Sequence, residues 1–143
     1  MPADDRLLFR NTMRVTPGHL DAFSAAIRRA VEFAEREAPQ ILVDVFLDER
    51  ELRATSFQLY ADSQAVLRHW RLSDPYIQEV MRHCTIERFE VFGDPSEAVR
   101  AGLPTPDDGI DVSLTPRLTG YARLNTSAEE DRNPEAGGHV GSA

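Results

Sequence analysis

Asn11, Tyr60 and His69 are the side chains here best suited to proton chemistry on a small organic molecule. An imidazole titrates near neutrality and can take a proton. A carboxamide and a phenol can hydrogen-bond the oxyanion that results. Ser56, Gln58, Trp70, Tyr76 and His83 are candidates for the wall of the same site. Four of these eight residues fall in "HWRLSDPYIQEVMRHC", residues 69–84, which also holds the only tryptophan and the only cysteine.

Each candidate also has a plain structural role. Asn11 can bond a neighbouring backbone group. His69 can sit on a helix surface or at an interface. Trp70, Tyr60 and Tyr76 can pack in a core with any polar tip left wet. His83 lies near a helix C-terminus, where a protonated imidazole is favoured. Cys84 is most simply a small buried hydrophobe. Adjacent helical residues point about 100° apart, so His69 and Trp70 cannot both face one spot squarely. The two histidines lack the i,i+4 spacing of a two-histidine metal site, and no metal site is expected.

The composition excludes several classes of chemistry. The 143 residues contain no lysine, all 16 basic residues being arginine. A lysine Schiff base and a P-loop are therefore impossible. One cysteine excludes an intrachain disulfide and a multi-cysteine zinc or iron–sulfur site. A net charge of −8 disfavours nucleic acid and anionic membranes as partners. No apolar run reaches the roughly 20 residues of a membrane span. "MPADDRLLF" has no basic segment leading into an apolar stretch, so a cytoplasmic location is expected.

The elements that must position the candidates follow from hydrophobic period. Leu7, Phe9, Asn11, Met13 and Val15 alternate onto one face of a first strand. Thr16 and Pro17 read as the N-cap and first residue of a helix that ends before Pro39. Leu20, Phe23, Ile27, Ala30, Val31 and Ala34 give that helix an apolar face. "QILVDVFLD" and "LRATSFQLYA" read as a hairpin turning at "DERE". A second helical region starts at Asp62 or Ser63. "SDP" at 73–75 should break and restart it, with Pro75 at the first position of the renewed helix. "TIERFEVFG" is a fourth strand stopped by Gly93.

The order β-α-β-β-α-β is an α+β, ferredoxin-like arrangement. It predicts a four-stranded antiparallel sheet with two helices on one face. Leu42, Phe46, Phe57, Leu59, Ile86 and Phe92 leave the other face apolar as well, which calls for a partner subunit. Residues 1–100 should form this domain. Residues 101–124 are a C-terminal extension, either an extra edge strand or an arm on the partner. Residues 125–143, with "AEEDRNPE", are too polar to offset ordering entropy and should be a disordered acidic tail.

The segments "MRVTPGHLDAF", "FQLYADSQAVLRHWRLSDPY" and "IERFEVFGDPS" resemble the dimeric α/β-barrel superfamily. The likeness is to its antibiotic-biosynthesis-monooxygenase-like domains in particular, over about residues 6–96. The resemblance implies a homodimer with two sheets packed face to face, and a pocket in each subunit between sheet and helices. Cofactor-independent oxygenases of this kind have an asparagine on the third strand and a tryptophan at its end. Ser56 and Tyr60 stand there instead, with Gln58 between them on the same strand face. Haem-degrading relatives carry an asparagine seven residues before the turn glycine, which Asn11 and Gly18 match. They also carry a helical tryptophan, which Trp70 can match. Their axial histidine falls near Glu79 and Val80, and His83 lies one helical turn beyond.

These readings converge on a cofactor-independent monooxygenase, or a related isomerase or cyclase. Its ligand would be an aromatic or polyketide-like small molecule, with no cofactor and no metal. His69 would remove a proton while Asn11 and Tyr60 hold the oxyanion. A non-catalytic ligand-binding or interaction module of the same fold is the alternative, followed by a haem-binding protein.

Overall fold

The computed structural model describes residues 5–124, and the expected tail at 125–143 lies outside them. The elements run β1 (Leu7–Val15), α1 (Leu20–Glu37), β2 (Leu42–Asp48), β3 (Arg53–Tyr60), α2 (Ser63–Met81), β4 (Cys84–Phe92), α3 (Glu97–Gly102) and β5 (Asp111–Thr115). The first six are the expected β-α-β-β-α-β order. The sheet has five strands rather than four, in the order β2-β3-β1-β4-β5. The first four pair antiparallel, and β5 pairs parallel to β4 at the far edge. The extension therefore supplies an edge strand. Val112 packs on the main core and Gly93 N–H bonds Thr115 O at the strand's end.

The alternation read from β1 holds. Leu7, Phe9, Met13 and Val15 are buried on the helix side of the sheet. They seed two clusters. Leu7 and Phe9 pack with Tyr60, Val66, Phe89 and Val91, and Met13 and Val15 pack with Phe23, Ala26, Ala54 and Val80. Between the clusters β1 carries Asn11, directly opposite Ser56 of β3. The polar pair sits where the two apolar masses part, and that gap is the site described below.

Three local expectations change. The first helix begins at Leu20, capped by His19 without a side-chain bond, and not at Pro17. Thr16, Pro17 and Gly18 form a turn closed by His19 N–H to Thr16 O, and Gly18 takes a φ of 86°. That left-handed step suits glycine and cannot belong to a helix. The second helix starts at Ser63 with the Asp62 carboxylate accepting from Ala65 N–H, as its sequence suggests. It then runs unbroken through "SDP", with Pro75 inside. Proline removes one backbone donor there, and the buried side chains on either side, Ser73 and Val80, hold the helix to the body. Cys84 is buried as expected and opens β4, one residue before the expected start of that strand at Thr85.

The opposite face of the sheet carries Leu8, Leu42, Phe46, Phe57, Leu59 and Phe92. Leu8, Leu42 and Phe46 are strongly exposed, Phe46 at 58%. Ile86 does not join them, because a register shift at Thr12/Met13 turns it onto the two helix-side clusters. The shift leaves Glu87 among arginines, bonded by Arg14 at 2.9 Å and Arg53 at 3.0 Å. Arg10 and Glu90 form a two-pronged ion pair at 2.7 and 2.6 Å on the same face. Only the Arg10–Glu90 pair uses both prongs of the guanidinium on both carboxylate oxygens.

Candidate functional site

A cavity of about 100 Å³ lies between α1, α2 and the sheet. Its polar wall is Asn11, Gln40, Ser56, Gln58 and His69. Its apolar wall includes Met13, Ile27, Val31, Val45, Ile77 and Met81. Val31 and Val43 line both this cavity and two solvent-open grooves between α1 and the β2 edge. The way in is therefore over the edge strand.

Period two along β3 sends Ser56, Gln58 and Tyr60 to the helix side, and their polar ends form a ladder. Tyr60 O–H donates to Gln58 Oε1, and Gln58 Nε2 donates to Ser56 Oγ at 3.0 Å. Gln40, in the connection between α1 and β2, donates from Nε2 to Gln58 Oε1 and to Tyr60 Oη, both at 3.0 Å. The ladder leaves two oxygens without partners. Asn11 Oδ1 and Gln40 Oε1 are buried and accept no hydrogen bond. A buried acceptor without a protein partner is costly, and a molecule bound in the cavity could donate to both.

His69 reaches the cavity from α2. It is 8% exposed, and Nδ1 pairs with Ser73 Oγ one turn later at 3.0 Å. Burial lowers its pKa to about 4. The imidazole is therefore neutral throughout the neutral range, rather than poised at mid-titration as its residue type suggests. Neutrality keeps a ring nitrogen free to accept a proton. Tyr60 packs beside it, with ring centroids 5.9 Å apart. Burial pushes the Tyr60 phenol well above its ordinary range, so it stays protonated.

Five of the eight predicted residues thus gather around one volume: Asn11, Ser56, Gln58, Tyr60 and His69. Tyr60 belongs to the supporting ladder rather than the lining. It is fully buried with its hydroxyl engaged by Gln40 and Gln58, so it orients those amides instead of touching an oxyanion itself. The other three lie elsewhere. Trp70 packs on the end of α3, where a methyl group added at Gly102 would fall 2.6 Å from its ring. Tyr76 stacks on Phe33 of α1, centroids 4.4 Å apart. His83 is used at the base of the helices, with Nδ1 3.1 Å from His19 Nδ1 and Nε2 3.1 Å from Glu79 Oε2. Both its nitrogens are engaged, which removes it as an iron ligand over the cavity.

Gln40 is the site residue that sequence reasoning missed. It precedes a strand in a connection, outside any periodic pattern. Its one signal was an amide placed between Pro39 and an apolar run.

No family model matches the chain, and no curated protein matches it by sequence. Solved structures do. MupZ from Pseudomonas fluorescens aligns over 83% of this chain and 95% of its own, at 18% identity and a TM-score of 0.67. SnoaB from Streptomyces nogalater, a cofactor-independent oxygenase, aligns over 64% of this chain and 95% of its own, at 17% identity and a TM-score of 0.55. A Chloroflexus aurantiacus protein, provisionally described as an antibiotic biosynthesis monooxygenase, aligns over 61% and 90%, at 16% identity and a TM-score of 0.53. The chain has the ferredoxin-like α+β fold of the antibiotic-biosynthesis-monooxygenase-like proteins.

Proposed function

We propose that this chain is a cofactor-independent enzyme acting on an aromatic or polyketide-like small molecule. It is a monooxygenase, or an isomerase or cyclase with the same first step. The observation that carries the reading is the neutral, buried His69 on the wall of a largely apolar cavity, beside a fixed ladder of Gln40, Ser56, Gln58 and Tyr60. The likeness of fold to a cofactor-independent oxygenase supports it.

The first step is proton removal from a phenol, an enol or a carbon beside a carbonyl. The substrate's acidic group lies against His69, and the ring nitrogen turned away from Ser73 takes the proton. A pKa of about 4 makes an isolated His69 a weak base. The substrate anion formed beside it offsets this, because opposite charges attract more strongly beside buried groups than in bulk water. The Asn11 Nδ2 amide and the Ser56 hydroxyl donate to the substrate oxygen as charge develops on it. In the oxygenase version the anion gives its electrons to dioxygen. A CH₂ carbon then becomes a carbonyl, one oxygen atom entering the product and the other leaving as water.

The working unit is a homodimer. The apolar face of the sheet, with Leu8, Leu42 and Phe46 exposed, is the surface for a second copy. The test of the enzyme reading is oxygen uptake and product formation with small phenols and anthrone-like ketones, comparing wild type with His69→Gln. Turnover that His69→Gln lowers by about 10²-fold or more supports it. Tight binding of such molecules with no turnover in any of them makes the chain a binding module instead.

A further inference from the structure

We propose that Gln40 is a second ligand anchor, and that the ligand enters as a two-donor molecule, giving one hydrogen bond to Asn11 Oδ1 and one to Gln40 Oε1. The inference rests on the cavity being a small-molecule site and names what that site selects.

The orientation of Gln40 is fixed by its neighbours. Gln58 Oε1 already receives the Tyr60 hydroxyl, and Gln58 Nε2 is committed to Ser56. Gln40 therefore presents Nε2 to Gln58 and Tyr60. Turning its amide over would set Oε1 against Gln58 Oε1, two acceptors in contact. So Oε1 points away from the ladder, and it is buried without a partner. Asn11 Oδ1, on β1, is in the same condition. Both side chains line the cavity, and neither oxygen is open to solvent. No protein donor reaches either oxygen, so a molecule seated in the cavity can supply their hydrogen bonds. Two unpaired carbonyl oxygens call for O–H or N–H groups and disfavour a ligand that offers only ethers or ketones.

Gln40 also lines the open groove formed by Val31, Ala34, Glu35 and Ile41–Val43. It stands at the mouth, with Asn11 deeper in the sheet. The cavity volume of about 100 Å³ is smaller than the ~150 Å³ that suffices for benzene. A single ring therefore seats one edge inside and leaves the other at the mouth, beside Gln40. Any substituent beyond it runs out over β2.

Three ring probes of nearly equal size test this: hydroquinone with two donors, 4-fluorophenol with one and 1,4-difluorobenzene with none. Affinities are read by fluorine- and proton-observed NMR titration under nitrogen. Each donor should tighten binding to wild type by about tenfold. In Gln40→Leu, confirmed folded by its melting curve, hydroquinone and 4-fluorophenol should bind alike. Tyr60→Phe is the second variant. It frees one partner of the ladder, and the preference for two donors should narrow without loss of 1,4-difluorobenzene binding. If 1,4-difluorobenzene binds wild type as tightly as hydroquinone, Gln40 is not an anchor, while the cavity remains a ring site. If none of the three binds at millimolar concentration, both this inference and the enzyme reading fall.

Discussion

His69 shows how far environment can move a residue from its type. The imidazole reads as a group half-titrated at neutral pH, and burial makes it neutral down to about pH 4. Its folded pKa lies below the ordinary 6.5, so its contribution to stability has a definite sign. Above pH 6.5 folded and unfolded chains both hold it neutral. Between 6.5 and 4 the unfolded chain takes a proton that the folded chain refuses, and stability falls as pH falls. Below 4 the effect is complete. The size is about 3 kcal/mol. Urea denaturation at pH 7, 5.5 and 4 should show this loss in wild type and not in His69→Gln. Equal losses in both proteins would place the acid sensitivity elsewhere. Activity, where measured, should lack an acidic limb near 6.5.

His83 teaches the converse at the same scale. Its position past the second helix matched a haem-ligand pattern shifted by one turn, but its nitrogens are spent on His19 and Glu79. A haem titration followed by absorbance should give no tight complex and no sharp Soret band. A one-to-one complex lost in His83→Ala would refute this assignment.

At the scale of elements, α2 carries the site from one side and fixes the third helix from the other. His69 faces the cavity while Trp70, the next residue round the helix, packs on Gly102. A methyl group at Gly102 would meet the Trp70 ring at 2.6 Å, well inside contact distance. Gly102→Ala should therefore destabilise by about 1–3 kcal/mol, the usual cost of overpacking. A thermal melt indistinguishable from wild type would mean the ring moves aside freely. Asp62 governs the start of the same helix through Ala65 N–H. Asp62→Ala should cost about 1 kcal/mol in urea denaturation, with the midpoint moving and the slope unchanged.

For the whole molecule the issue is the uncovered side of the sheet. Phe46 and Phe57 meet edge to face at 6.0 Å, yet Phe46 remains 58% exposed. Leu8 and Leu42 are exposed on the same face, and the Arg10–Glu90 pair lies among these residues, with Arg10 directly opposite Phe57. One copy leaves this surface wet, and a second copy placed face to face removes it from water. Light scattering at micromolar concentration should give a dimer mass. Phe46→Glu should shift the mass to a monomer while circular dichroism keeps its α+β signature. A wild-type monomer, or a Phe46→Glu dimer, would rule this face out as the contact.

The sequence by itself determined the order of the first six elements and which residues share a strand face, but not which of the two faces turns inward. Those follow from local period, and alternation placed Leu7, Phe9, Asn11, Met13 and Val15 together on one face. Asn11 stood out as a polar residue among apolar neighbours on one strand face, His69 by its residue type, and Ser56 and Gln58 by the family resemblance and their shared strand face. The sequence could not tell that Thr16–Pro17 begins a turn, or that Pro75 stays inside a helix. Propensity favours the opposite in both cases, and tertiary contacts prevail. Only the tertiary structure decided which candidates meet. Trp70, Tyr76 and His83 are as reactive in type as the residues of the site, and they are drawn off by Gly102, Phe33, His19 and Glu79. It also decided the role of Gln40. That residue belongs to no period, and its meaning appears only when chain folding brings the connection between α1 and β2 against the polar ladder of β3.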